Sequence, residues 1–249
     1  MSIRLTAISR YPVKGLSPER LERVRLSPDE GLPGDRAFAL LLESAHFDTA
    51  SPEWLPKTNF LMLARYPRLA KLHTTLEGSL LTVTRDGKRV VEGDLSNPVG
   101  RAVIEDFFDA YMKDEVDVSA QVVSAPGHMF SDHRNKVVSI ISNASLAALE
   151  REVGSSLDPV RFRANLLIDG AGAWEEFDWV DKDITVGGVR LRVTKRIDRC
   201  AATSVDPARG VSDHNIPQTL RKSFGHIDFG VYARVVTEGE ITVGDGLFI

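Results

Sequence analysis

The chain has 249 residues and a net charge of −4, with 43% hydrophobic and 27% charged residues. That length allows one large domain or two modest ones with a sizeable core, and the charge balance offers no overall basic field for nucleic acid. The single cysteine excludes an intrachain disulfide, the start lacks the apolar run of a signal peptide, and no apolar stretch approaches the roughly 20 residues that span a bilayer, so a soluble, cytoplasmic protein is expected.

Ile3 to Ile8 reads as a first strand, ended by the Tyr11-Pro-Val-Lys14-Gly15 loop. Lys14 beside Gly15 could reach an anion or simply be solvated. Leu21 to Leu26 reads as a second strand. Gly31-Leu-Pro-Gly34 is a turn, and the charged pair Asp35-Arg36 opens the apolar run Ala37 to Leu42, short and continuous like a fully buried strand. Residues 46–60 are irregular, and no site residue is assigned in the segment from Lys57 to Arg65. Asp86-Gly87 between Leu80–Arg85 and Lys88–Glu92 is a hairpin signal. Asn97-Pro98 then starts a helix, with Asn as cap and Pro in its first turn, and Val99, Val103, Phe107 and Ala110 form its apolar stripe. The acidic stretch Asp114 to Asp117 reads as a solvated linker, which divides the chain into modules 1–117 and 118–249.

Gln121 to Ser124 and Val137 to Ile141 read as strands, and His128 and His133 in the polar loop between them as plain loop histidines. The second strand runs into Ser142-Asn143-Ala-Ser145 and a helix with Leu146, Leu149 and Val153 on one face, closed by Gly154. Free N–H groups at such a junction suit an anion, and Ser142 or Asn143 can also cap the helix. In Arg161-Phe-Arg163-Ala-Asn165, arginines two apart would share one strand face. An anion could reconcile them, and so could Asp158, Asp169, Glu175 or Glu176. The aromatic, acidic segment Ala173 to Trp179 reads as packing rather than as a cover for a site. Val186-Gly-Gly-Val189 is another hairpin turn. Val189, Leu191 and Val193 then alternate with polar residues along a half-buried strand that leads to Cys200. Arg196 and Arg199 flank the cysteine and favour thiolate, partly offset by Asp198; a lone cysteine can also be no more than a small buried hydrophobe. Pro217 to Phe224 is a short helix ended by Gly225. His226 could shuttle protons or orient its loop. Val231–Val236 and Glu240–Val243 are expected to pair across Glu238-Gly239.

Arg199-Cys200-Ala-Ala-Thr203 with Val205-Asp206-Pro207 and Gly210 resembles the signature of the MOSC family, in the branch that contains the mitochondrial amidoxime-reducing components and bacterial YcbX-like proteins. Arg161-Phe-Arg163-Ala-Asn165 and Tyr11-Pro-Val-Lys14-Gly15 are similar to two further family motifs. The resemblance implies a mainly β (α+β) protein in which an N-terminal β-barrel-like module packs on a C-terminal MOSC β-barrel with short helices. It implies molybdenum cofactor, a Mo-molybdopterin, between them. Cys200 would ligate the metal. Lys14, Gly15 (through its backbone), Arg36, Ser142, Asn143, Arg163, Asn165, Asp198 and Arg199 would hold the pterin. The family's activity implies reduction of an N–OH bond in a small N-hydroxylated substrate. One cysteine cannot hold an iron–sulfur cluster, so an external ferredoxin, flavoprotein or haem protein would bring electrons. Two other roles suit the same residues: a sulfur carrier with a persulfide on Cys200, and a non-catalytic cofactor carrier.

Overall fold

The computed structural model describes residues 2–249. Its N-terminal half contains β1 (Ile3–Arg10), β2 (Glu19–Leu21), β3 (Arg23–Leu26), β4 (Ala39–Leu42), β5 (His73–Glu77), β6 (Leu80–Arg85), β7 (Lys88–Asp94), the helix α1 (Pro98–Met112) and β8 (Ala120–Val123). Then follow β9 (Val138–Ser142), α2 (Asn143–Val153), β10 (Leu166–Asp169), β11 (Asp183–Val186), β12 (Val189–Asp198), α3 (Ile216–Phe224), β13 (Asp228–Val235), β14 (Gly239–Thr242) and β15 (Gly246–Phe248). The mainly β architecture expected from the sequence is present.

Among the described residues, seven strands close into a barrel in the order β10–β9–β13–β12–β11–β15–β1, with β1 returning to β10. The first strand of the chain is therefore a stave of the C-terminal barrel. β9 and β10 run parallel, joined by a crossover that contains α2. Along β12, Val189, Leu191 and Val193 point into the barrel while Arg190 and Arg192 stay exposed, as period-2 patterning requires. Such fully buried aliphatic side chains each contribute about 1.5–3 kcal/mol. Phe177 and Trp179 join the same core, which gives the acidic, aromatic segment its packing role. The two-residue turns are as expected: Asp86-Gly87 and Gly187-Gly188 both have positive φ at each central position.

A second core lies in the N-terminal half, where α1 covers the β5–β6–β7 sheet and the β4–β8 pair packs beside it. The Asn97 side chain accepts from Gly100 N at 2.8 Å, capping α1 as expected. Its buried face is offset from the expected stripe. Gly100, Ile104, Phe108 and Tyr111 are buried, whereas Val99 is 75% and Val103 42% exposed. Both sets share the helical period, and the choice falls to Gly100. A Cβ there would lie 2.1 Å from the Asp94 carbonyl oxygen, so only glycine lets the helix approach β7 this closely.

Two other expectations are corrected. β13 does not pair with β14. Its two edges are filled by β12 and β9, so β14 turns away and pairs with β3, Gly239 opposite Leu26. Arg161 and Arg163 do not share a strand face either. Pro159 and the Asp158 cap, which accepts from Val160 N, start a 3-10 turn that Arg163 ends at φ +51°. The strand begins only at Leu166, and the two arginines diverge.

Candidate functional site

A cleft of about 460 Å³ opens between the two cores, and the Tyr11–Gly15 turn forms one wall. Tyr11 N donates to Asp35 Oδ1 at 2.7 Å, and Lys14 N to Phe38 O at 2.8 Å. Gly15 sits at φ +84° against the Leu61 carbonyl, which a Cβ would meet at 2.9 Å. Lys14 is 7% exposed; its Nζ donates to Phe130 O at 3.0 Å and pairs with Asp132. Burial pulls its pKa below the ordinary lysine value, with Asp132 opposing.

Arg36 pairs with Asp35, and its Nη2 donates to the Arg163 carbonyl at 2.9 Å. Burial disfavours the Arg36 charge, but Asp35 outweighs that and holds its pKa above the ordinary value. Arg163 donates through Nη1 to Leu16 O at 2.7 Å, and both guanidinium groups lie over the Tyr11 ring, at 4.6 and 4.3 Å. Among the described residues, the buried Arg163 Nη2 has no hydrogen-bond partner. Burial, then the neighbouring Arg36, pulls the Arg163 pKa down to about 10. Such an arginine gains from an anion placed against it.

The other wall comes from the barrel. Ser139 on β9 and Asn165 just before β10 meet at its base. Asn165 Oδ1 accepts from Ser139 N and Oγ at 3.0 and 2.8 Å, and Nδ2 donates to Ser9 O at 3.2 Å. The Asn165 amide thus ties three staves together. Arg199 Nε and Nη1 donate to Phe229 O and Phe162 O, each at 2.8 Å, and burial pulls its pKa down to about 10. It braces the backbone rather than reaching outward. Asp198 lies at the rim, 72% exposed and 3.9 Å from Lys195. Cys200, half-buried, ends this approach and opens a 3-10 turn over Ala201–Ser204.

The two flanking arginines are placed differently. Arg196 lies over the Phe177 ring at 4.4 Å, and Arg199 is committed to carbonyls. Lys57, on a 3-10 turn of the N-terminal half, lines the cleft together with Cys200 and Arg199. Partial burial disfavours its charge, but Cys200, Asp132 and Asp198 outweigh this and raise its pKa. Nothing in the sequence marks Lys57, because residues 46–60 have no periodicity and a lysine in an irregular stretch carries no signal. Asp132 also lines the cleft: burial works against its carboxylate, but Lys14, Lys57 and Arg36 hold it below the usual range. Asp132 lies in the polar loop between two strands and belongs to no motif.

The structure thus brings Lys14, Gly15, Arg36, Arg163, Asn165, Asp198, Arg199 and Cys200 to one cleft. Ser142 and Asn143 lie outside its lining, and the Ser142 side chain caps α2 by accepting from Ala144 N at 3.2 Å. His226 is also outside it. Its ring packs by Trp174 and Phe177, and Nδ1 accepts from Asp228 N at 3.2 Å, which orients its loop. His133 lines the cleft next to Tyr232, whereas His128 packs among Phe47 and Phe130. A soft thiol with several cations and an unpartnered buried guanidinium N–H can receive an anionic, metal-bearing group.

Comparison with known proteins gives two family matches: the MOSC N-terminal beta barrel domain over residues 2–125 and the MOSC domain over residues 126–247. Mitochondrial amidoxime-reducing component 1 of Mus musculus is 26% identical over 96% of this chain and 80% of its own length. Molybdenum cofactor sulfurase of Drosophila pseudoobscura pseudoobscura is 32% identical over 43% of this chain, which is 14% of its own length. The crystal structure of the YUAD protein from Bacillus subtilis aligns over 99% of this chain and 94% of its own with a TM-score of 0.47 at 13% identity.

Proposed function

The chain belongs to the MOSC family, in the form that carries the N-terminal β-barrel domain, and from that premise we propose that it binds molybdenum cofactor and reduces N-hydroxylated compounds, N–OH to N–H. The observation that carries this reading is the convergence, in one cleft, of Cys200 with Lys14, Arg36, Lys57 and Arg163. The residues fit the group. Lys14, Arg36 and Arg163 supply charge-assisted donors to its phosphate, and the Arg163 Nη2 that lacks a partner among the described residues gains one. Cys200 supplies a soft thiolate to the metal. When bound, the cofactor supplies the two-electron redox chemistry.

The chain's own residues do the remaining work. Arg199 fixes the strand end before Cys200, so the thiol is presented in a set direction. Lys57 holds a proton at Nζ in the same cleft, its charge favoured by Cys200, Asp132 and Asp198. Trp54, Met62 and Tyr232 line the same cleft and offer apolar contact to a small substrate. Electrons come from an external electron-transfer protein, in keeping with amidoxime-reducing relatives.

The match to a molybdenum cofactor sulfurase favours a second reading, in which Cys200 carries a persulfide and passes sulfur on. Metal content separates the two. The chain would be purified from a molybdenum-replete host that makes the cofactor, beside Cys200→Ala. Near-stoichiometric molybdenum and pterin in the parent, with metal lost or weakened in the variant, is the expected result, followed by benzamidoxime reduction with an artificial donor. Metal bound without turnover points to a carrier. If molybdenum and pterin are both absent, the reductase reading is withdrawn, and a persulfide mass on Cys200 establishes the alternative.

A further inference from the structure

We propose that Arg161 and Asp213 are positioning residues for Cys200: their bidentate pair clamps the 200–213 loop to the barrel and keeps the thiol turned into the cleft. The loop leaves the barrel at Cys200 and crosses to the N-terminal half. Val205 is 1% exposed within the N-terminal core. A Cβ at Gly210 would meet Lys71 Cγ at 2.7 Å and Pro67 O at 3.2 Å. On its other side the loop meets the 159–162 turn that leads toward β10 and the start of α3, where Ser204 Oγ accepts from Ile216 N at 3.3 Å.

Arg161 ties that turn to the loop. Its side chain is 4% exposed and donates through Nη1 to Asp213 Oδ1 at 2.8 Å and through Nη2 to Asp213 Oδ2 at 2.7 Å. Nη1 also donates to Ser204 O at 3.4 Å. Ser204 O accepts from Asp213 N at 3.1 Å as well, so one guanidinium holds the loop at both Ser204 and Asp213. The turn passes the constraint to Cys200, whose carbonyl accepts from Thr203 N and Oγ1 at 3.1 and 2.9 Å. On the outer side Arg209 closes the set, with Nε to Asp206 Oδ2 at 2.7 Å and Nη2 to Asp213 Oδ2 at 2.9 Å. Two arginines face two aspartates, and bidentate forks fix direction as well as distance. The inference is independent of which group Cys200 serves.

Cys200 is the chain's one cysteine, so thiol labelling reads this residue alone. The full chain, made in a host without the pterin pathway, would be treated with 5,5′-dithiobis(2-nitrobenzoic acid). Asp213→Asn is expected to label about tenfold faster than the parent, through local opening of the loop. Arg161→Lys keeps the charge without the fork and is expected to fall between. Asp213→Glu restores the carboxylate and is expected to rescue much of the protection. Val186→Ala, in the barrel core and outside the loop, controls for general destabilisation. The clamp is overturned if Asp213→Asn and Arg161→Lys label at the parent rate. It is equally overturned if they label no faster than Val186→Ala at the same distance below each protein's unfolding midpoint. Should Asp213→Asn fail to fold, Arg161→Lys against Val186→Ala decides alone.

Discussion

At Glu176 a carboxyl is held in the interior. It is 0% exposed, Oε2 accepts from Ser145 Oγ at 2.8 Å, and Oε1 has no partner among the described residues. Burial raises its pKa above the ordinary value of 4.5, with the Ser145 hydrogen bond opposing. The folded chain therefore holds this proton more tightly than the unfolded chain does. The stabilisation is complete below the unfolded value and is lost as pH rises through the folded one. Glu176→Gln removes that titration. Its unfolding midpoint should gain on the parent as pH is raised from about 4 to 8. Parallel curves for the two proteins across that range would mean that Glu176 is ionised in the fold after all. Arg163 poses the opposite problem, a buried cation short of a partner. If the chain binds the cofactor as proposed, Arg163→Ala should reduce its retention about tenfold or more, since a hydrogen bond to a charged group contributes about 1.5–3 kcal/mol. Retention equal to the parent's in a dialysis series would remove Arg163 from the phosphate site.

Which face an element buries was less legible than where the element lies. Asn97-Pro98 marks the start of α1 correctly, and Gly154 and Gly225 close α2 and α3 in left-handed conformation as their positions suggest. These are local signals, decided by backbone chemistry within a few residues. The buried face of α1 is a different question, because Val99–Val103 and Ile104–Phe108 satisfy one helical period equally well. The offset has a direct test. Ile104→Ala should cost about 2–5 kcal/mol, as large-to-small changes in a core do, whereas Val103→Ala should stay within about 0.5 kcal/mol. Denaturant midpoints for the two variants check this, and similar losses would return the helix to the expected stripe.

On the scale of the whole molecule, β1 decides how independent the halves are. It belongs to the first module in sequence and to the barrel in space, between β10 and β15. Residues 118–249 expressed alone would lack a stave and expose two strand edges. Such a fragment is expected to show no cooperative thermal transition by circular dichroism. A sharp transition would mean that the barrel closes without β1.

Most of the longer strands, the helix caps and the hairpin turns were legible in the sequence, because each is written in neighbours or in a short pattern, and the family resemblance marked Lys14, Arg36, Arg163 and Cys200; β5 and β15 were not legible. Packing between elements brought Lys57 into the cleft that Cys200 lines, left Arg196 outside it, made Asn165 a tie between staves, and kept Ser142 and Asn143 out of the lining. The reason is physical. A side chain's partner is set by which elements pack against it, and Lys57 and Cys200 lie far apart in the chain. They line one cleft because the N-terminal core packs against the barrel, and the 200–213 loop crosses between the two cores.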